Sequence, residues 1–276
     1  MRDGGEIRKS NVHPVLDSVK KWYDNYTRSY ITGNAQLDDA VNLKYEHTMR
    51  VAGETTALCA SLNLGDDDTA LAGIAALLHD VARFEQFRIF GTFADKKSVN
   101  HADFAVKIIS RNRLTDGLRS EDADTVITAI KYHNAIAVPE LINERQKLFC
   151  RLLRDADKLD IYKIVLDHYV NPDPGRSETV EVGIPEGVDV SPEVCALIMA
   201  GETVPFDLIR SINDFKLIQL GWVFDLNFPH SFKCVKDRGY ISSIVRLLPD
   251  NPDVRRVAEK VENYLEQQCT DSAGTA

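Results

Sequence analysis

Apolar residues recur at steps of three or four along most of the first 170 residues, and this period predicts α-helices. The segment from Val41 to Leu62 shows the pattern clearly. A new helix is expected to begin at the acidic run Asp66-Asp67-Asp68, because such side chains cap a helix N-terminus and complement its dipole. The residues that follow, LAGIAALLHD, are apolar on nearly every side. We therefore expect this helix to be the buried centre of an all-α fold.

Further helices are predicted over residues 98–112, 121–134 and 144–169. The composition then changes, since five of the ten prolines lie between Pro172 and Pro205. This part is expected to be rich in loops, with SETVEVGI (177–184) as a short extended piece. Proline and glycine punctuation and apolar spacing predict later helices over 192–200, 206–220 and 252–268.

We therefore predict a helical core in residues 1–170, followed in 171–276 by a loop-rich connection and C-terminal helices packed on that core.

The charge balance and the apolar runs exclude several classes of partner. The net charge is −9, from 33 basic and 42 acidic residues, which argues against tight binding to a polynucleotide. The longest apolar run is the eight residues Leu71–Leu78, far below the roughly 20 that cross a bilayer, so no membrane association is expected. The N-terminal residues show no apolar secretory segment, and the five cysteines are scattered. We therefore expect a cytoplasmic protein with unpaired thiols.

Four of the seven histidines lie on the apolar face of their predicted helices: His47, His79, His101 and His133. Any one of them could be a hydrogen-bonded core residue. Four imidazoles directed into one helical bundle are costly unless each finds a partner, and a shared metal ion serves them all.

The helix that ends the core offers carboxylates to complete such a site. Asp157 has apolar residues at i−4 and i+4, so we prefer it as the ligand. Asp160 is the alternative ligand, or it could orient a neighbouring one. Asp155 has basic residues at i−4 and i+3, which predicts a solvated, ion-paired position.

Together these residues resemble the H…HD…D signature of the HD-domain metal-dependent phosphohydrolases. The matching positions are His47, the pair His79-Asp80 within ALLHDVARFEQF, and Asp157 within RDADKLD. The resemblance covers about residues 40–170 and implies an HD-domain helical bundle, to which the predicted C-terminal helices form an extension.

The chain is most similar to the bacterial HD hydrolases that carry extra histidines between the HD pair and the final aspartate. In that branch, His101 and His133 match positions that complete a second metal site. The related HD-GYP phosphodiesterases have paired histidines where this chain has His133-Asn134, and they have a GYP motif that this chain lacks. A cyclic dinucleotide is therefore not the expected substrate.

The resemblance implies a metal-dependent phosphohydrolase that cleaves a small phosphate ester, such as a nucleotide, by attack of a metal-activated water. Ligands rich in imidazole favour one or two ions of Mn²⁺, Fe²⁺, Co²⁺, Ni²⁺ or Zn²⁺ over Mg²⁺. Asp80 would bridge two such ions. Arg83 and Lys158 are the candidate cations for the phosphate, although each could instead form a surface ion pair.

Two other functions are compatible with the sequence. The first is a metal-containing nucleotide sensor without turnover, although intact ligands at all four signature positions favour an enzyme. The second is a structural metal site, which the absence of suitably spaced cysteines disfavours.

Some residues near the predicted ligands fit either a functional site or an ordinary structural role. Lys96 and Lys97 are weaker candidate cations, and Arg50 and Glu54 are candidate outer partners of the ligands. Trp222, Phe224 and Phe228 are expected to be core residues.

Overall fold

The computed structural model describes residues 11–172, 180, 184 and 187–273. Within these residues all regular secondary structure is helical, which confirms the predicted all-α fold. The N-terminal helices are α1 (Val12–Arg28), α2 (Ala35–Ser61), α3 (Asp66–Leu78), α4 (Ala82–Phe90), α5 (His101–Arg111), α6 (Ser120–Tyr132) and α7 (Glu144–Val170). Helix α1 was not predicted from the apolar period. The expected extended piece over 177–184 lies outside the described residues, except for positions 180 and 184.

Helix α3 is the centre of the N-terminal part, as the sequence indicated. It begins directly at the three aspartates, whose charges lie in its first turn. From Ala70 to Leu78 every residue except Gly73 is buried, and α3 packs against α1, α2, α6 and α7. Its C-terminal end, which carries the His-Asp pair, is therefore held inside the bundle.

Helix α7 belongs to two hydrophobic clusters. Its first half, including Phe149 and Leu153, packs in the cluster built around α3. Its second half, including Tyr162 and Val165, packs in a cluster formed with the C-terminal helices. A capping box between Asn143 and Gln146 fixes where α7 begins. The helix thus connects the two packed regions.

The C-terminal region is also helical. Its helices are α8 (Pro192–Ala200), α9 (Ile212–Gly221), α10 (Pro229–Asp237), α11 (Tyr240–Arg246) and α12 (Pro252–Ala273), with short 3₁₀ helices at Asp95–Lys97, Phe206–Leu208 and Trp222–Asp225. Helix α8 has the predicted bounds, with Gly201 in the left-handed conformation after it. The single helix predicted over 206–220 is wrong, because Ser211 caps a new helix by accepting a hydrogen bond from the Asp214 backbone. No helix of the described residues is long and apolar enough to cross a membrane.

The prediction that Asp155 is solvated is wrong. This carboxylate is fully buried and joins α7 to the turn before α10. It accepts hydrogen bonds from the backbone and side chain of Asn227, from the Phe228 backbone and from the Ser231 hydroxyl, the last at 2.6 Å. Its partners lie more than 70 residues away, so the local charge pattern around Asp155 could not reveal them.

Candidate metal centre

The six predicted metal ligands meet at one point in the bundle. They come from five helices or their ends: His47 on α2, His79 and Asp80 after α3, His101 at the start of α5, His133 after α6, and Asp157 on α7. The four histidines and Asp80 are buried. Two sets of three possible ligand atoms lie within 4.8 Å of one another: those of His47, His79 and Asp157, and those of His79, Asp80 and His133.

Each imidazole is oriented by a hydrogen bond at Nδ1. The acceptors are Asp160 for His47, the Ala76 carbonyl for His79, Asp95 for His101, and the Ile130 carbonyl for His133, each at 2.7 Å. These acceptors are carboxylate or carbonyl oxygens, so we assign the ring proton to Nδ1 and the free lone pair to Nε2. All four lone pairs are thereby available to the centre.

Few hydrogen-bond donors of the described residues reach these lone pairs. His79 Nε2 and Asp157 Oδ1 are buried without a hydrogen-bond partner among those residues, and Arg83 Nη2 lies 3.4 Å from His101 Nε2. His101 Nε2 lies 2.9 Å from His133 Nε2, although with this assignment neither nitrogen has a proton to donate. Burial, together with His101 and His79, lowers the pKa of His133 to about 3, so this imidazole is neutral. A divalent cation would satisfy these atoms, and the residues present therefore fit a bound metal ion.

Asp80 faces both halves of the cluster. Its Oδ2 lies 3.5 Å from His47 Nε2 and 3.8 Å from His79 Nε2, whereas its Oδ1 lies 3.5 Å from His101 Nε2. Burial alone would raise the pKa of this carboxyl, but its neighbours, first Lys44 and then His79 and Arg83, hold it well below its usual range. Asp80 therefore has the charge and the position of a bridging ligand.

Asp160 lies behind His47 rather than among the facing ligand atoms. Besides accepting the His47 proton, it accepts hydrogen bonds from Arg50 Nε at 2.6 Å and Arg50 Nη2 at 3.2 Å. Of the two predicted roles for Asp160, this geometry supports the orienting one. Arg50 is its partner, as the sequence suggested, whereas Glu54 instead pairs with Arg238 at 2.7 Å.

Asp95 has the corresponding position behind His101, and the sequence analysis missed it. Arg83 lies between the two acidic groups, with Nε 3.3 Å from Asp80 Oδ1 and Nη1 3.0 Å from Asp95 Oδ1. Only 13% of the Arg83 side chain is exposed, so these are not surface ion pairs. Asp95 begins the short 3₁₀ helix between α4 and α5, and no periodic pattern connects it to His101.

Lys44 is a second cation that the sequence analysis missed. Its Nζ lies 2.8 Å from Asp80 Oδ2. It precedes His47 by three residues on α2, so the helical period places the two side chains on one face. That spacing was visible in the sequence and could have identified it.

Comparison with known proteins supports the family assignment. Residues 45–162 match the family model of the HD domain. The chain contains an HD domain. HD domains are in general metal-dependent hydrolases that bind divalent ions, which confirms the family predicted from the H…HD…D signature. The match includes all six predicted ligands. No curated protein and no solved structure matches the chain significantly.

The ligands of the HD domain open into a cavity of about 410 Å³. One wall comes from the HD domain, including Arg83 and Lys158, and from Lys44, which directly precedes the family match. The opposite wall comes from positions 202–225, which lie beyond the family match. A cavity of the same volume lies beside α1, but it contains none of the six predicted ligands.

Two basic residues of α7 connect the HD domain to the opposite wall through one carboxylate. Lys158 Nζ lies 2.7 Å from Asp225 Oδ2, and Arg154 Nη2 lies 2.6 Å from the same oxygen. Arg154 also donates to the backbone carbonyls of Tyr132 and His133, so it fixes the turn that carries the His133 ligand. Lys158, a candidate cation for the phosphate, thus lies at the cavity.

The remaining predicted residues are distributed as follows. Lys96 pairs with Asp207 outside the ligand cluster. Phe228 is a buried core residue, as predicted, and Phe224 packs against Tyr264 with ring centroids 4.8 Å apart. Trp222 is only half-buried and lines the cavity, which the sequence did not indicate.

Proposed function

We propose that this protein is a metal-dependent phosphohydrolase that cleaves a small phosphate ester. One observation carries the proposal: four Nε2 atoms and two carboxylates converge beside a cavity that basic side chains also line, and two of the converging atoms are buried without a hydrogen-bond partner among the described residues. A divalent ion bound there supplies Lewis-acid polarisation of the phosphoryl group and a water of lowered pKa. In the overall reaction, the water oxygen forms a bond to phosphorus, the ester P–O bond breaks, and the departing alcohol takes a proton.

Each predicted ligand has a proposed place. His47, His79, Asp80 and Asp157 would hold the first ion. His101 and His133 would hold a second ion together with Asp80. The two oxygens of Asp80 already face these two groups of imidazoles, which supports a bridging role. We propose one or two ions per chain, of Mn²⁺, Fe²⁺, Co²⁺, Ni²⁺ or Zn²⁺ rather than Mg²⁺, because imidazole nitrogens predominate among the ligands.

Basic side chains on the cavity wall would bind the phosphate. Arg83 and Lys44 lie beside Asp80, and Lys158 lies on the side toward the C-terminal wall. Their N–H groups can donate to the phosphoryl oxygens and stabilise the charge that these oxygens carry during P–O cleavage. Asp80, Arg83 and Lys158 are therefore the proposed catalytic residues, and Lys44 joins them.

The size of the cavity supports a small substrate. A volume of about 410 Å³ is within the usual range for sites that bind small molecules, and a nucleotide is among the esters that we propose. The net charge of −9 argues against a polynucleotide partner. We propose a cytoplasmic location, because all five cysteines are free thiols, as expected in a reducing compartment.

Metal content and phosphate release test the proposal together. We would load the purified full chain with Mn²⁺, desalt it, measure metal per chain by elemental analysis, and assay phosphate release from AMP and p-nitrophenyl phosphate. We expect one or two ions, lost in His79→Ala, and phosphate release that Asp80→Ala abolishes. His13→Ala is the matched control, because this histidine is exposed and outside the cluster.

Two results would change the assignment. Wild-type phosphate release by Asp80→Ala would contradict the mechanism. Retained metal without release from any ester would favour the sensor without turnover.

A further inference from the structure

The cavity has two chemically different ends. The ligands and basic side chains of the HD domain form the charged end. The other end is lined mainly by apolar side chains, most of them beyond the family match, although Glu202 and Thr203 also line the cavity there. The apolar residues include Ile136, Ile161, Val204, Phe206, Ile218 and Trp222. Metal binding and phosphate chemistry need only the charged end, so the apolar end requires another explanation.

Phe206 is the most exposed aromatic residue of this wall. Its side chain is 43% exposed, whereas Phe215, against which it packs at 6.4 Å between ring centroids, is buried. Lys96 holds the segment in place from the HD side, because its ammonium group lies 5.4 Å from the Phe206 ring centroid and pairs with Asp207. The ring is therefore fixed by its neighbours while part of its surface remains free for a ligand.

Trp222 provides a second aromatic surface at the same end. It packs edge-on against the buried Tyr162, with ring centroids 5.4 Å apart and an angle of 69° between the rings. The residue is half-buried and lines the cavity, so its indole has one side in the protein and another toward the cavity. Aromatic surfaces of this kind favour planar ring systems, which gain stacking or edge contacts beyond simple burial.

We propose that the apolar end binds the alcohol part of the substrate, and that this part carries a planar aromatic ring system. The proposal rests on the proposed function, because the phosphate of the same molecule occupies the charged end. The 410 Å³ volume accommodates a phosphate joined to one or two rings. Residues 202–225 thus determine which phosphate ester the HD domain receives.

The test compares four phosphate monoesters on the Mn²⁺-loaded full chain. 1-Naphthyl phosphate carries the ring directly, AMP carries it through a sugar, octyl phosphate carries an aliphatic chain, and glycerol 2-phosphate carries neither. We would measure kcat/KM for each, and binding of each by calorimetry. The variants are Phe206→Ala and Trp222→Leu. Phe90→Ala is the matched control, because Phe90 has the same 43% exposure and does not line the cavity.

We expect one or both ring-bearing esters to exceed glycerol 2-phosphate and octyl phosphate by about tenfold or more in kcat/KM. Phe206→Ala should lower that preference by about tenfold, mainly through a higher KM for the ring-bearing esters. Phe90→Ala should match the wild type. Equal values for all four esters, a preference for octyl phosphate, or an equal loss on every ester in both cavity variants would overturn the proposal.

Binding separates this proposal from the proposed function. If no ester is hydrolysed but 1-naphthyl phosphate or AMP binds in a Phe206-dependent manner, the aromatic site stands and the phosphohydrolase does not. If esters are hydrolysed without any preference for rings, the phosphohydrolase stands and the aromatic site does not. The absence of both binding and hydrolysis would refute both.

Discussion

Replacing Asp160 with Asn tests whether the residues behind the ligands determine metal affinity. The wild-type carboxylate uses one oxygen for His47 Nδ1 at 2.7 Å and the other for Arg50 Nε at 2.6 Å. An amide has one acceptor oxygen, so its NH₂ group must face either His47 or Arg50, both of which are donors there. The variant therefore loses one charge-assisted hydrogen bond and leaves the His47 ring less firmly oriented.

The expected magnitude follows from this geometry. Loss of an outer partner of a metal ligand lowers metal affinity by about 10- to 100-fold, which corresponds to about 1.4–2.7 kcal/mol. Arg50→Gln should lower the metal affinity less than Asp160→Asn does, because Asp160 would keep its hydrogen bond to His47. Asp167→Asn should leave the metal affinity unchanged, since its carboxylate is 66% exposed and pairs along the helix with Lys163.

The assay is competition for Mn²⁺ against a fluorescent chelator. Circular dichroism of each metal-free variant would show that the fold is retained. A folded Asp160→Asn protein with Mn²⁺ affinity within twofold of the wild type would refute the reasoning.

Three further predictions concern stability. Removal of metal with EDTA should lower the melting temperature, and Mn²⁺ at 100 times its Kd should raise the free energy of unfolding by about 2.7 kcal/mol. An unchanged melting temperature in a Mn²⁺ titration would contradict metal binding. Asp155→Ala should lower the free energy of unfolding in urea by about 3–5 kcal/mol, because it leaves the donors of residues 227–231 unpaired; a loss below about 1 kcal/mol would contradict this. At Asp122, burial alone would raise the carboxyl pKa, but hydrogen bonds from Arg119 and Arg145 lower it below its usual value. The native-state pKa is thus below the unfolded value of about 3.9, so this carboxylate stabilises the fold above about pH 4 and progressively less below it. Asp122→Asn should therefore destabilise at pH 7, and its difference from the wild type should shrink as the pH falls below about 4; a difference independent of pH would contradict this.

Helical periodicity predicted the residues that converge but not the residues that hold them. His47 and His79 could be found because each lies on the apolar face of its own helix, which tertiary packing then turns inward. Asp95 and Ala76 illustrate the rest. The Ala76 carbonyl accepts a hydrogen bond from the His79 ring only because His79 directly follows the end of α3. Asp95 accepts a hydrogen bond from the His101 ring only because of the conformation of the connection between α4 and α5. Such contacts depend on tertiary geometry or on helix ends.

The two neighbouring aspartates of α7 show where local patterns fail. Apolar flanks placed Asp157 in the interior, and it lies at the cluster. Basic flanks placed Asp155 in solvent, yet it is fully buried. Lys158, one of those flanking residues, pairs with Asp225 instead. A local charge pattern measures only which ion pairs are available along the helix, and it cannot detect a distant turn that provides four better donors.

A short segment of α7, less than two turns long, therefore faces two regions at once. Asp157 and Asp160 are directed to the histidines, whereas Asp155 and Lys158 contact residues 225–231. Because these side chains share one rigid helical segment, the C-terminal region fixes the rotation and depth of the helix that presents the final ligand. The family match ends at 162 and does not include that region. Its packing on α7 would nevertheless influence metal geometry, and its side chains complete the cavity, so both regions contribute to the same site.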